Sequence, residues 1–299
     1  MGLAPIVLFV YNRPLHTQKT VEALLKNKLA SASDLVIYSD AAKNEKALEK
    51  VSEVRSYIKT IQGFKSLKIV EQATNQGLAR SIIRGVSEVI STDGKVIVLE
   101  DDLVTSPNFL TYMNRSLELY SDNEEVISIH GYNYPVSLTS PEKTFFLKGA
   151  DCWGWATWKR GWEMFEQDGQ KLLDYLVSKN LTADFNFNGS YPYTQMLKAQ
   201  IAGKNDSWAI RWYASAYIQN KLTLYPAKSL VKNIGLDMSG THSGEDVHYI
   251  ADQLSEESFE ELEKISTVEN TDAKKTIEKF FRKNTKIGFK QRILNFISP

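Results

Sequence analysis

Cysteine is nearly missing from this 299-residue chain, where Cys152 stands alone. A lone thiol closes no internal bridge, so a small disulfide-stapled secreted domain is excluded and a reducing compartment is allowed. No charge of one sign dominates. Thirty-six Lys and Arg balance 36 Asp and Glu, whereas a chain that lives on nucleic-acid phosphates is usually far more basic. Long apolar runs are also absent. Residues 3–11 form the longest one near the N-terminus, too short to span a bilayer and preceded by no basic segment, so neither a signal peptide nor a membrane helix is expected. No repeat or low-complexity stretch is present. The composition, 42% hydrophobic and 24% charged, is that of an ordinary globular protein and excludes disordered, collagen-like and coiled-coil chains. The length admits one large domain or two small ones.

What the chain has is order. Residues 5–11, 34–39, 67–71 and 95–99 are short apolar, β-rich runs. Helical spacing fills the gaps, at 15–28, 45–61 and 77–90. A strict β-α-β-α-β-α-β order predicts parallel strands with helices on both faces. Ligands of such sheets bind beyond the carboxyl ends of the strands, which singles out Asn12-Arg13, Asp40, Asn75 and Glu100-Asp101-Asp102. After residue 103 the alternation loosens. Helices are expected at 107–120, 159–165, 191–202 and 209–220, and strands at 126–130, 145–148, 222–225 and 229–232, as a mixed extension of the same sheet.

Glu100-Asp101-Asp102 closes the fourth strand. Three adjacent carboxylates repel one another and are costly to desolvate without a cation. At that edge they would suit a hard divalent ion, Mg²⁺ or Mn²⁺, bridging to phosphate oxygens. The plain alternative is a solvated turn ahead of a helix start at Thr105-Ser106-Pro107.

Leu99-Glu100-Asp101-Asp102, at the end of an α/β half, resembles the Asp-X-Asp-type motif of GT-A glycosyltransferases, in the Glu-Asp-Asp form of the N-acetylglucosaminyltransferase I group and its bacterial relatives. The order of other segments is similar as well: Phe9 to Pro14, Tyr38-Ser39-Asp40, Asn75 to Arg80, Trp153-Gly154-Trp155 with Trp162, and Asn205-Asp206-Ser207-Trp208 through Arg211. The resemblance covers about residues 5 to 245. It implies a Rossmann-like GT-A fold, a central mostly parallel sheet with helices on both faces. Residues 1–103 would be its nucleotide-sugar-binding half, 104–245 the acceptor-binding and catalytic half, and 246–299 a helical tail.

The activity implied is inverting transfer from a UDP-sugar to a glycan or lipid-linked acceptor, as in bacterial surface-polysaccharide assembly. Asp102 would hold the metal and Asp101 the ribose, with Glu100 beside the donor sugar or orienting the other two. Asp40 would accept from the uracil N–H, or be a polar turn. Arg13 would pair with a phosphate or the base, or be a surface arginine. Asn75 and Arg80 flank a helix start that favours anions, although Asn75 is equally a plain N-cap. Asp206 is the candidate base for the acceptor hydroxyl, a role worth about 10²–10⁴-fold; an N-cap is its alternative. Trp153, Trp155 and Trp208 offer planes for sugars or fill the core, and Asp151 could bond the donor sugar. His242, in a Gly-flanked loop, would reach the metal or diphosphate, or stand in solvent. His16, His130 and His248 show no ligand spacing, and Cys152 reads as a small buried filler.

Two other readings remain. A nucleotidyltransferase shares such a half, but its Gly-rich loop is not found after the first strand. A glycan-binding module could use the tryptophans alone. The tail from Lys274 to Arg292 carries eight Lys and Arg, interleaved with Phe280, Phe281, Ile287 and Phe289. It reads as an appendage that either touches a membrane peripherally, placing a cytoplasmic enzyme at the inner face, or packs on the domain with a solvated basic side.

Overall fold

The structure, a computed structural model, describes residues 2–139, 142–237, 249 and 253–285. Strand β1 (Ile6–Val10) is buried throughout, and its alternation splits the core. Ile6, Leu8 and Val10 enter one apolar cluster, while Val7 and Phe9 enter another on the opposite face. Helices α1 (Pro14–Leu25) and α2 (Glu45–Ile58) cover the first face through Val21, Leu24, Val54 and Ile58. Helix α3 (Leu78–Asp93) covers the second through Ile82, Val86, Val89 and Ile90. Pro14 opens α1, where its missing N–H costs nothing. Gly85 lets α3 lie close on the sheet, since a Cβ there would stand 2.8 Å from the Phe9 ring.

Strands β2 (Asp34–Ser39), β3 (Ser66–Glu71) and β4 (Lys95–Glu100) join β1 in the parallel order β3-β2-β1-β4. This half is as the sequence predicts. Beyond it come β5 (Leu103–Thr105), α4 (Phe109–Leu119), β6 (Val126–His130), β7 (Thr144–Lys148), β8 (Trp155–Trp158) and α5 (Lys159–Trp162). The chain continues through α6 (Gly169–Ser178), α7 (Thr182–Phe185), α8 (Tyr193–Ile201), α9 (Trp208–Ile218), β9 (Leu222–Pro226), β10 (Val231–Asn233) and α10 (Thr271–Asn284). The sheet runs on from β4 as β8-β6-β9-β7, with β8 and β7 antiparallel to the rest. Strands β5 and β10 form a separate antiparallel ribbon. The fold is therefore α/β, with a mostly parallel sheet and helices on both faces. Two strands are unexpected, the short β5 and β8, and β8 lies at the centre of the sheet and is built largely from the tryptophan segment.

The tail to residue 285 is not an appendage. Phe259 packs edge-on to Tyr112 at 4.9 Å inside the first cluster, and Ser255 N–H bonds the Ser229 carbonyl at 2.8 Å. Helix α10 sinks Ala273, Ile277 and Phe281 into a third cluster beneath α6 to α9. With Phe281 buried, the apolar side of this helix serves the core and is not free to enter a lipid surface. Its outer side shows Lys275, Lys279, Arg282 and Lys283. Ile287 and Phe289 lie outside the described residues.

Candidate functional site

Parallel pairing brings the carboxyl ends of β1 and β4 together, with Phe9 beside Glu100. The chain leaving β1 delivers Arg13 to the acids that leave β4. A single Arg13 nitrogen, Nη2, donates to Asp101 Oδ1 at 2.5 Å and to Asp102 Oδ2 at 2.8 Å. Asp101 is buried, and its carbonyl accepts from Thr20 Oγ1 at 2.9 Å. Burial pushes the Glu100 carboxyl up to about 8, and the charges of Asp102 and Asp101 add to the effect against Arg13. Asp101 is raised to about 6 by burial, with Arg13 opposing and Asp102 assisting. Burial opposes the charge on Arg13, but the two carboxylates outweigh it and keep the guanidinium protonated. Three acids thus share one cation, and the cluster is short of positive charge.

The β5–β10 ribbon closes over this cluster. Ile234 N–H bonds the Asp102 carbonyl at 2.8 Å. Gly235 follows, and a Cβ there would collide with Asp102 Oδ2 and lie 2.7 Å from Arg13 Nη1. His16 clasps the same segment, its Nε2 lying 3.2 Å from the Ile234 carbonyl and 3.1 Å from Asp237 Oδ2. Neither Gly235 nor His16 stands out in the sequence. The signal for His16 is its place three residues after Arg13, in the first turn of α1. Cys152 is nearby too. Burial pushes its thiol up, and Asp151, Glu100 and Asp102 push it further; its turn leads into β8, whose Trp155 pairs with Val98 of β4.

At the end of β2, Asp40 takes the second of its two expected parts, that of a polar turn. Its Oδ1 accepts from the N–H groups of Ala41 and Gln76, both at 2.8 Å. Its Oδ2 accepts from Asn75 Nδ2 at 3.0 Å and Gly77 N–H at 2.9 Å. A carboxylate has about four lone-pair sites, so none is left for a base N–H. Asp40 instead fastens the turn that leads into α3. Asn75 does not cap that helix: Gly77 holds the cap position at φ 75°, and the Asn75 amide also bonds the Ala41 carbonyl at 2.7 Å. Arg80 stands exposed in the first turn of α3.

Two of the three candidate sugar platforms are core. Trp155 is fully buried, stacked on Trp208 at 5.4 Å and tilted against Trp162 and Trp212, each at 5.7 Å. No sugar reaches Trp155 or Trp208 through that packing, because these large apolar rings fill the space between α3, α9 and the sheet. Trp153 is half-buried, with its ring edge-on to Tyr132 at 4.7 Å. Asp206 is exposed and 3.6 Å from Arg211. It is not the cap of α9, because Ser207 Oγ accepts from Ile210 N–H at 3.3 Å in that role. Trp208 lies on Trp155, and Trp155 pairs with Val98 two residues before Glu100. The start of α9 therefore sits at the carboxyl end of β4. His242 lies outside the described residues.

The model of the family described as Glycosyl transferase family 2 matches residues 6–179, more than half of the chain. The chain belongs to that family. The match supports a nucleotide-sugar glycosyltransferase over a nucleotidyltransferase or a glycan-binding module. No curated protein matches it. Solved structures similar to the glycosyltransferase include S. aureus TarS, at 13% identity and a TM-score of 0.33, covering 51% of this chain and 25% of that one. The chain thus spans a quarter of TarS. Another is the mannosyltransferase PcManGT from Pyrobaculum calidifontis in complex with GDP-Man and Mn²⁺, at 10% identity and a TM-score of 0.40, covering 74% and 70% of the two chains. Neither likeness bears on the sugar handled here.

Among the described residues, no three His, Cys, Asp or Glu side chains form a ready-made metal cage. Mg²⁺ and Mn²⁺ seldom need one, since one or two carboxylates, water and substrate phosphates complete their shell. The charge deficit at Glu100, Asp101 and Asp102, together with the partly open Asp102 carboxylate, fits such an ion.

Proposed function

We propose that the glycosyltransferase moves a sugar from a UDP-sugar to a glycan or lipid-linked acceptor with inversion, in the manner of bacterial surface-polysaccharide assembly. The observation behind this reading is the under-neutralised acid cluster held by Arg13 at the carboxyl end of β4. Residues 1–103 would supply the donor half and 104–245 the acceptor half. Asp102 would hold Mn²⁺ or Mg²⁺, and His242, outside the described residues, is the second candidate ligand. Such an ion, when bound, neutralises the departing diphosphate as a Lewis acid. Asp101 would face the ribose and Glu100 the donor sugar. Arg13 would turn part of its guanidinium from the carboxylates to the diphosphate, with Arg80 as a further anion contact. Asp40 and Asn75 would shape the loop against which the nucleotide lies.

On the acceptor side, Asp206 would take the proton of the attacking hydroxyl. The new bond forms between that oxygen and the anomeric carbon as the bond to the phosphate oxygen breaks, and its electron pair leaves on UDP. Asp151 and Trp153 would hold sugar hydroxyls and an apolar ring face. The exposed Lys275, Lys279, Arg282 and Lys283 would let a cytoplasmic enzyme rest on anionic headgroups, each worth about 1 kcal/mol. Release of UDP from a panel of UDP-sugars with Mn²⁺ tests the reading. Asp102→Asn and Asp206→Asn should each lower turnover by at least about 10²-fold. Wild-type rates in both variants, or no turnover of any UDP-sugar by the wild type, would overturn it.

A further inference from the structure

We propose that His130 is a positioning residue for the sugar-binding wall: from beneath, its imidazole fixes the Asp151–Trp153 turn and steers the Asp151 carboxylate toward the sugar. The inference deepens the reading above and rests on it for the word sugar. His130 ends β6 and is fully buried. Its Nε2 accepts the Trp153 N–H at 3.1 Å. An imidazole that accepts at Nε2 carries its proton on Nδ1. Burial pushes His130 below the ordinary histidine value, and the Asp151 charge and the Tyr132 backbone only partly offset this, so the ring is neutral.

That Nδ1 makes no well-formed hydrogen bond among the described residues, and the Tyr132 backbone offers it only a weak one. The edges of Tyr225 and Tyr132 flank the ring, at 4.9 and 6.0 Å. Asp151 Oδ2 lies 3.9 Å from Nδ1, beyond a direct bond by under about 1 Å. A buried N–H with only a weak acceptor is costly, and a small turn of Asp151 would give it a good one. Asp151 is already held on its other sides. Its Oδ1 accepts the Cys152 N–H at 2.9 Å, and the Tyr134 hydroxyl reaches Oδ2 at 3.4 Å. The carboxylate is still a quarter exposed, so it can bond His130 on one side and a sugar hydroxyl on the other. One buried ring thereby couples Asp151 and Trp153, the two candidate sugar contacts on this turn that remain open.

Two measurements test this. In ¹⁵N imidazole spectra of the full chain, the His130 signal, identified by its loss in His130→Asn, should be the neutral Nδ1–H tautomer and should move in Asp151→Asn. In UDP release from a UDP-sugar, His130→Phe should raise KM for the sugar donor about tenfold and leave the affinity for free UDP unchanged. His130→Asn, which can place a donor near the Nδ1 position, should recover much of that loss, and His130→Gln should not. The effect of His130→Phe should vanish in an Asp151→Asn background. An Nε2–H tautomer, a signal indifferent to Asp151→Asn, or additive losses would overturn the proposal. If no UDP-sugar turns over, the transfer reading fails, and the spectra still decide the role of His130.

Discussion

Two clusters meet where β4 pairs with β8, and opposite physics holds them. Past Val98, three carboxylates crowd around one arginine in a setting that raises two of them well above their usual range. Across the pairing, Trp155 sits among three other indoles with no room for a ligand. The first cluster is short of positive charge, whereas the second is apolar packing of ring on ring, although the indole N–H groups of Trp155 and Trp212 have no hydrogen-bond partner among the described residues. The proposed function rests on the first cluster, because uncompensated charge there is what a bound cation and diphosphate would relieve. The second packs α9 onto the sheet beside that edge.

Substitutions should separate the two clusters sharply. Trp155→Ala should cost about 3–5 kcal/mol of stability in denaturant unfolding, with no rescue by UDP and Mn²⁺ beyond that seen for the wild type. Small loss of stability would mean that the indoles are not the scaffold. Arg13→Met leaves two part-buried acids without their cation and should cost about 3 kcal/mol. Here Mn²⁺ with UDP should restore much of the loss, because added cations replace the missing charge. Equal melting shifts in wild type and variant would break the contrast.

The parallel half was legible nearly residue by residue, since β1, β2 and β4 are buried runs punctuated by turn residues and amphipathic helices. Strand β8 was not. Four residues with two tryptophans carry no strand period, and indoles suit a sugar platform as well as a core. Burial separates those roles, and it emerges only when α9 stacks Trp208 onto Trp155. In the site, the acid triplet was legible from its place after a fourth strand. Its pairing with Arg13 was not, because 88 positions separate Arg13 from Asp101. For Asp40 the sequence left a base contact and a polar turn both open, since four N–H donors from its neighbourhood converge on it only in three dimensions. Gly235 and His16 were missed because closure by the β5–β10 ribbon depends on a strand of three residues.

Smaller effects sharpen the picture. Gly235→Ala should push the ribbon off Asp102 and Arg13 and cost about 1–3 kcal/mol, with a matching fall in affinity for UDP and Mn²⁺. A loss of stability with unchanged affinity would detach the ribbon from the site. The smallest effect belongs far from both clusters, where Lys274 Nζ bonds Asp184 at 2.7 Å and Tyr217 donates to the same carboxylate. Burial alone would raise Asp184, but these partners outweigh it and hold the carboxyl below its usual range. Burial likewise opposes the charge on Lys274, and Asp184 with Glu269 raises it overall. The Asp184 contribution is present above about pH 4 and is lost as pH falls through the depressed value; that of Lys274 is present below about pH 10.5 and is lost above it. Asp184→Asn should therefore flatten the stability profile at both ends while costing under about 1 kcal/mol at neutral pH.

The central claim is tested most directly by calorimetric titration of UDP into wild type and Asp102→Asn, each with and without Mn²⁺. The account predicts that Mn²⁺ tightens UDP binding to the wild type by at least tenfold, or about 1.4 kcal/mol, and has little effect on Asp102→Asn. UDP binding that ignores Mn²⁺ in the wild type, or that Mn²⁺ tightens equally in the variant, would contradict it.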